Sequence, residues 1–188
     1  LLELCKRSDG HIKHFVYASS SSVYGDTAVV PFSETDECNS PVSVYAATKK
    51  MCESLAYTYN HLYQIPVSGL RFFTVYGPRG RPDMAPYKFI ERIYHGKSIE
   101  QYGDGTTSRD YTFIDDIVNG IILALDHIPI SGCEVYNLGC GNPISLSNFI
   151  STIEHLVGRK ANINYLPLQP GDVQRTYADI SKAQRMLG

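Results

Sequence analysis

The feature that most constrains this chain is a hydrophobic period that switches back and forth along it. The run His14-Phe15-Val16-Tyr17-Ala18 is short and apolar, as a buried parallel strand requires. Residues 44–63 then carry Leu55, Ala56, Tyr59 and Leu62 at helical spacing, with Pro66 just beyond. Residues 66–72 read as a second strand and 85–95 as a helix ended by Gly96. A short strand is expected at 98–101, before the Gly103-Asp104-Gly105 turn. Residues 114–127 form a strongly apolar helix with Asp115 and Asp116 in its first turn, where the helix dipole favours acids. A third strand is expected at 134–138, then a helix over 145–156 capped by Ser145 or Ser147, a strand at 162–166 and a helix over 180–188. Strands alternating with helices predict an α/β fold with a mainly parallel sheet.

Such a sheet binds ligands at the carboxyl ends of its strands. The expected division is a first region of residues 1–75 and 111–139, with 76–110 and 140–188 forming a smaller lobe over that edge. The opening Leu1 to Arg7 reads as the last turns of a helix without a start signal, and 180–188 stops at glycine. Both ends read as cut, which predicts a piece of a longer protein.

Composition narrows the partners. A net charge of −2 offers no broad field to nucleic acid or an anionic membrane, so neither is an expected partner and an anion site must be built from a few arginines. No apolar run reaches the ~20 residues of a membrane span. The five cysteines form no Cys-x-x-Cys pair, which suits free thiols in a reducing cytoplasm. The six histidines cluster nowhere, so no metal site is expected.

The chemistry sits in four segments. In Tyr45-Ala46-Ala47-Thr48-Lys49 the phenol and the ammonium share one helix face. A phenol is a poor base until a neighbouring cation stabilises the phenolate. With 14 tyrosines in the chain, this spacing is weak evidence alone, and a tyrosine packed beside an exposed lysine is the plain reading. The support lies upstream, where a strand runs into Ser19-Ser20-Ser21-Ser22 and then Val23-Tyr24-Gly25. A hydroxyl at a strand's carboxyl end can donate to a substrate oxygen and relay its proton to the phenolate. The third segment is Arg71-Phe72-Phe73-Thr74-Val75-Tyr76-Gly77-Pro78-Arg79-Gly80-Arg81-Pro82-Asp83-Met84. The fourth, Gly103-Asp104-Gly105-Thr106-Thr107-Ser108-Arg109-Asp110-Tyr111, leads into the 114–127 helix, and Gly171-Asp172-Val173 follows late in the chain.

Together these segments resemble the NAD-dependent epimerase/dehydratase family of extended short-chain dehydrogenases/reductases. The resemblance implies a Rossmann-like doubly wound sheet with a substrate-binding lobe, of which this chain is the C-terminal portion. It implies a catalytic triad of Ser20, Tyr45 and Lys49, with Ser21 and Ser22 as adjacent alternatives for the hydroxyl. It gives NAD contacts to Ser19, Tyr45, Lys49, Phe73 and Val75. It gives a UDP-sugar contacts to Ser21, Ser22, Thr74, Arg81, Arg109 and Asp172, and it implies a homodimer formed through the helix that carries Tyr45 and the helix preceding it. The family's Gly-x-x-Gly-x-x-Gly loop does not occur in this sequence. The chain alone is therefore expected to bind NAD poorly and to be inactive.

Within the family, dehydratases and decarboxylases place a carboxylate beside the catalytic hydroxyl, whereas Ser21 and Ser22 stand there here. That favours oxidation and re-reduction, hence 4-epimerisation. The Gly-Pro-Arg-Gly-Arg-Pro-Asp-Met run and Thr74 look most like UDP-glucuronate 4-epimerases. The alternatives are a UDP-glucose/galactose 4-epimerase, a UDP-glucuronate decarboxylase and, from another class, a non-catalytic nucleotide-sugar-binding scaffold.

Overall fold

The computed structural model describes residues 1–8, 10–26, 29–169 and 173–188. After a short helix α1 (Leu2–Arg7), the main sheet is built from β1 (Phe15–Ser20), β2 (Val67–Phe72) and β6 (Cys133–Leu138). All pairs are parallel, in the order β1-β2-β6. Their carboxyl ends are flush, with Ser20 beside Phe72 and Phe72 beside Leu138.

Alternation along the strands divides their side chains between two faces. On one face α2 (Val44–Tyr63) packs Ala56 against Val67, with Phe15 and Tyr17 alongside. On the other, α4 (Ile114–Asp126) and α6 (Ser181–Leu187) enclose Leu70, Tyr136 and Leu138. Helix α2 starts where it does because the Ser43 hydroxyl accepts the Ala46 amide at 3.1 Å. It stops at Gln64, which takes a left-handed conformation.

Beyond the main sheet, β3 (Thr74–Tyr76) pairs in parallel with β5 (Ser108–Phe113), and β5 pairs antiparallel with β7 (Pro143–Ser145). A separate parallel pair, β4 (Ser98–Tyr102) with β8 (Asn162–Leu166), lies under α3 (Ala85–Tyr94) and α5 (Leu146–Val157). Phe89, Ile93, Ile99, Ile150 and Ile153 form the core of that layer. The α/β class and parallel sheet are as the sequence predicts. Three further strands, β3, β5 and β7, are additions to it. Of the two candidate caps for α5, Ser145 serves, accepting the Asn148 amide, while Ser147 donates to the Gly105 carbonyl.

Candidate active site

The site forms where β1 and β2 end. β1 runs out in Ser19 and Ser20 and turns at once into a one-turn 3-10 helix, Ser21–Tyr24. The Ser20 hydroxyl caps that turn, accepting the Ser22 amide at 3.2 Å and donating to the Ser22 hydroxyl at 3.1 Å. The chain escapes through Gly25 at φ 71°, where a Cβ would collide with the Ser40 carbonyl oxygen. Tyr24 is buried, stacked on Phe32 at 4.7 Å between centroids, and donates its hydroxyl to Asn137 on β6 at 2.7 Å.

Helix α2 presents Tyr45 to the opening beside the serines. The ring is 54% exposed, so the phenol is accessible to a ligand. Lys49 lies one turn on, its ammonium 5.8 Å from the Tyr45 ring centroid and 3.0 Å from the Ala18 carbonyl that accepts its proton. The lysine thus does two things: it places a cation beside the phenol and pins the helix to the end of β1.

Tyr45 and the four serines line a cavity of about 1140 Å³, while Lys49 stands behind Tyr45, outside the lining. Of the residues expected from the sequence, Ser19, Ser20, Ser21, Ser22, Tyr45, Phe73, Thr74, Val75 and Arg81 all line it. Ser19 does so with its hydroxyl already committed to the Glu53 carboxylate at 2.6 Å, which leaves only its backbone for a ligand. Phe73 is buried in the aromatic cluster with Tyr24 and Phe32, and its amide is taken by the Leu138 carbonyl. A second cavity of about 230 Å³ adjoins the first, and Ser21, Ser22 and Thr74 line both. Arg109 lines only the smaller one, where its guanidinium also reaches the Ser108 carbonyl. Arg81 is brought to the large cavity already forked onto Asp83, at 3.1 and 2.5 Å, in an exposed pair. Asp172 lies outside the described residues.

Several residues that hold the site together carry no local signal in the sequence. Glu53 and Arg71 form a buried forked pair behind the serine strip, with both nitrogen–oxygen distances 2.9 Å. Burial alone would push the Glu53 carboxyl up, but the Arg71 fork and charge, the Ser19 hydroxyl and Lys50 outweigh it and hold that carboxyl below the usual range. Asp110 is fully buried and accepts the amides of Cys140, Gly141 and Ala178 at 2.8 to 3.0 Å. Asn137, equally buried, donates to the carbonyls of Phe32 and Asp179. The one available cue was that Glu53 stands four residues past Lys49, on the Tyr45–Lys49 face.

The arrangement suits a polyhydroxylated ring held by hydroxyls against a phenol, next to apolar side chains at Phe72, Phe73 and Val75 that can take a planar aromatic ring. Among the described residues there is no group of three or more histidine, cysteine or acidic side chains placed to hold a metal ion, and no helix is long and apolar enough to cross a membrane.

A model of the NAD dependent epimerase/dehydratase family matches residues 1–139. The whole chain is 50% identical to part of a UDP-glucuronate 4-epimerase of Thermodesulfobacterium geofontis, of which it covers 56%. It superposes over its full length on the crystal structure of UDP-glucuronic acid 4-epimerase from Bacillus cereus in complex with UDP-glucuronic acid and NAD, with TM-score 0.90, 41% identity and 58% of that chain covered. Against the UDP-glucose 4-epimerase of Thermus thermophilus in complex with NAD, the TM-score is 0.88 and the identity 27%, over 98% of this chain and 60% of that one. The chain thus spans somewhat over half the length of the proteins it matches.

Proposed function

Because this chain belongs to the NAD dependent epimerase/dehydratase family, we propose that it is the catalytic and sugar-binding part of a 4-epimerase that interconverts UDP-glucuronate and UDP-galacturonate. The observation that carries the reading is one cavity wall made of Ser20, Ser21, Ser22, Thr74 and Tyr45, with no carboxylate in the serine strip. The family's dehydratases and decarboxylases carry a carboxylate there, which a reversible oxidation at one carbon does not require. The higher identity to the glucuronate enzyme than to the glucose enzyme, 41% against 27%, supports the acidic sugar.

In this reading NAD, when bound against Phe73 and Val75, supplies a reversible hydride acceptor for sugar C4. Tyr45 takes the proton of the 4-hydroxyl, and Ser20 holds the same oxygen and relays the proton. Lys49 keeps a positive charge beside the phenolate and holds α2 to the Ala18 carbonyl. The 4-keto sugar turns over in the cavity so that the hydride would return to the opposite face of C4, while Tyr45 gives the proton back to the C4 oxygen. The hydroxyls of Ser21, Ser22 and Thr74 meet the sugar carboxylate. Arg109 and Arg81 take the diphosphate, Arg81 by exchanging Asp83 for phosphate oxygens in the same forked geometry. Asp172 contacts the ribose. Residues 1–75 and 111–139 serve the cofactor side, and 76–110 with 140–188 the substrate side. The protein works in the cytoplasm, a compartment its free thiols suit, as a homodimer through α2.

The test uses the full-length protein that carries this sequence, with NAD, following the anomeric proton of UDP-glucuronate and of UDP-glucose by NMR. Formation of UDP-galacturonate from UDP-glucuronate alone is expected. Conversion of UDP-glucose instead would keep the mechanism and overturn the roles of Ser21, Ser22 and Thr74. Tyr45→Phe is expected to cut turnover at least ~100-fold while changing UDP affinity little, since proton transfer contributes on that order. Equal turnover in the variant would mark the protein as something other than this enzyme.

A further inference from the structure

Tyr45, Lys49 and Glu53 stand four residues apart and form one stripe along α2. The first lines the cavity, and the second reaches the Ala18 carbonyl on β1. The third faces inward, 7% exposed, and its carboxylate is shared by two strands. One oxygen accepts the Ser19 hydroxyl at 2.6 Å, and both accept the Arg71 guanidinium at 2.9 Å. Ser19 and Arg71 are themselves register partners across the β1–β2 pair. Ser19 immediately precedes Ser20, and Arg71 lies three residues before Thr74. The network continues beyond Arg71. Its guanidinium lies 4.7 Å from the Tyr24 ring centroid, and the Tyr24 hydroxyl ends on Asn137 of β6. A continuous polar belt therefore crosses all three strands just beneath the cavity, and α2 enters it through one side chain.

We propose that Glu53 is a positioning residue for the reaction, fixing the distance between the Tyr45 phenol on α2 and the Ser20 hydroxyl on β1 by clamping the helix to Ser19 and Arg71. Two anchors hold the stripe, at neighbouring points of β1: Lys49 on the Ala18 carbonyl and Glu53 on the Ser19 hydroxyl. The lysine anchor is partly exposed and single. The carboxylate anchor is buried, charge-assisted and threefold, so it sets the geometry. Glu53 lines neither cavity and acts only through the groups it aligns. The inference rests on the epimerase reading for its kinetic measurement alone.

The decisive variant is Glu53→Asp in the full-length protein. It keeps the charge and the pairing with Arg71 but shortens the clamp by one methylene. The expected result is a kcat lowered about 10- to 100-fold, the scale of an ångström's misplacement, with KM nearly unchanged and melting temperature close to wild type. Ser19→Ala is the second variant. It leaves the buried ion pair whole, so the protein folds even if the aspartate variant does not. It is expected to lower kcat several-fold without changing NAD affinity, because the Ser19 hydroxyl is not available to a ligand. Hydrogen–deuterium exchange supplies a readout independent of any sugar, with faster exchange expected in residues 18–25 of both variants. Unchanged kcat in both variants, or a loss that merely tracks the folded fraction, overturns the proposal. So does unchanged exchange over 18–25, including in a protein that turns over neither UDP-glucuronate nor UDP-glucose. Such idleness in the wild type would refute the epimerase reading separately.

Discussion

Glu53 is also where the molecule's acid sensitivity should concentrate. The groups facing it are Arg71 and Ser19 from the sheet, Lys50 from its own helix and the Tyr17 ring from β1. Its folded-state affinity for a proton is lowered, so its contribution to stability is complete above the ordinary carboxylate range, about pH 4 to 5, and is lost as pH falls through the lowered value. Glu53→Gln leaves the Arg71 charge buried and unpaired, which typically costs about 3–5 kcal/mol. The expected outcome is a melting temperature well below wild type at pH 7 and a shallower decline between pH 5 and 3. Thermal melts across that range check it, and parallel curves would show that the acid sensitivity lies elsewhere. Sequence reading paired Tyr45 and Lys49 because a helical spacing ties them together. It passed over Glu53 and Asn137, and quoted Arg71 and Asp110 within motifs without giving either a role, because burial of a polar side chain is decided by distant segments. A glutamate on a helix reads as solvated until the arginine that covers it is placed.

At the scale of elements, the long helices were legible from period and caps, and β4 and β8 were legible too, whereas β3, β5 and β7 were not. β3 and β7 have three residues each, too few for an alternation to register, and β5 was read as the motif around Arg109 and Asp110. Pairing with each other, not propensity, makes them strands. Helix α2 shows what period does reveal. Its outward face carries Val44, Met51, Leu55 and Leu62 at spacings of seven, four and seven residues, each 49% exposed or more. An apolar seam of that kind matches a helix-pairing surface. If dimers form there, Leu55→Glu places a charge in the seam and should give a monomer by sedimentation equilibrium. The buried face, with Glu53 and Ala56, is untouched, so the melting of the monomer should stay cooperative. A dimer that survives this change would move the interface to another surface.

Across the whole molecule, the segment around Thr176 to Asp179 is sewn into parts of the chain made far earlier. Ala178 bridges to Phe32 and gives its amide to Asp110, and the Asp179 carbonyl is held by Asn137. The Thr176 hydroxyl accepts the Asp110 amide in return. Asp110→Ala would strip the acceptor from three backbone amides at once, at about 1–3 kcal/mol for each one left unsatisfied. The expected outcome is a loss of several kcal/mol in urea unfolding together with weakened UDP binding, since Arg109 is the adjacent residue. Full UDP affinity in a variant so destabilised would separate the smaller cavity from this stitching. The same stitching sets an order on biosynthesis. Ala178 leaves the ribosome roughly 150 residues after Phe32, which at ordinary elongation rates is about ten to thirty seconds later. Until then Phe32 lacks its bridging partner and Asp110 lacks one of its three donors. A nascent chain therefore carries Tyr45 and the serine strip well before it owns a finished pocket, which waits for Val173 and Thr176 on the wall of the smaller cavity and for the Ala178 bridge.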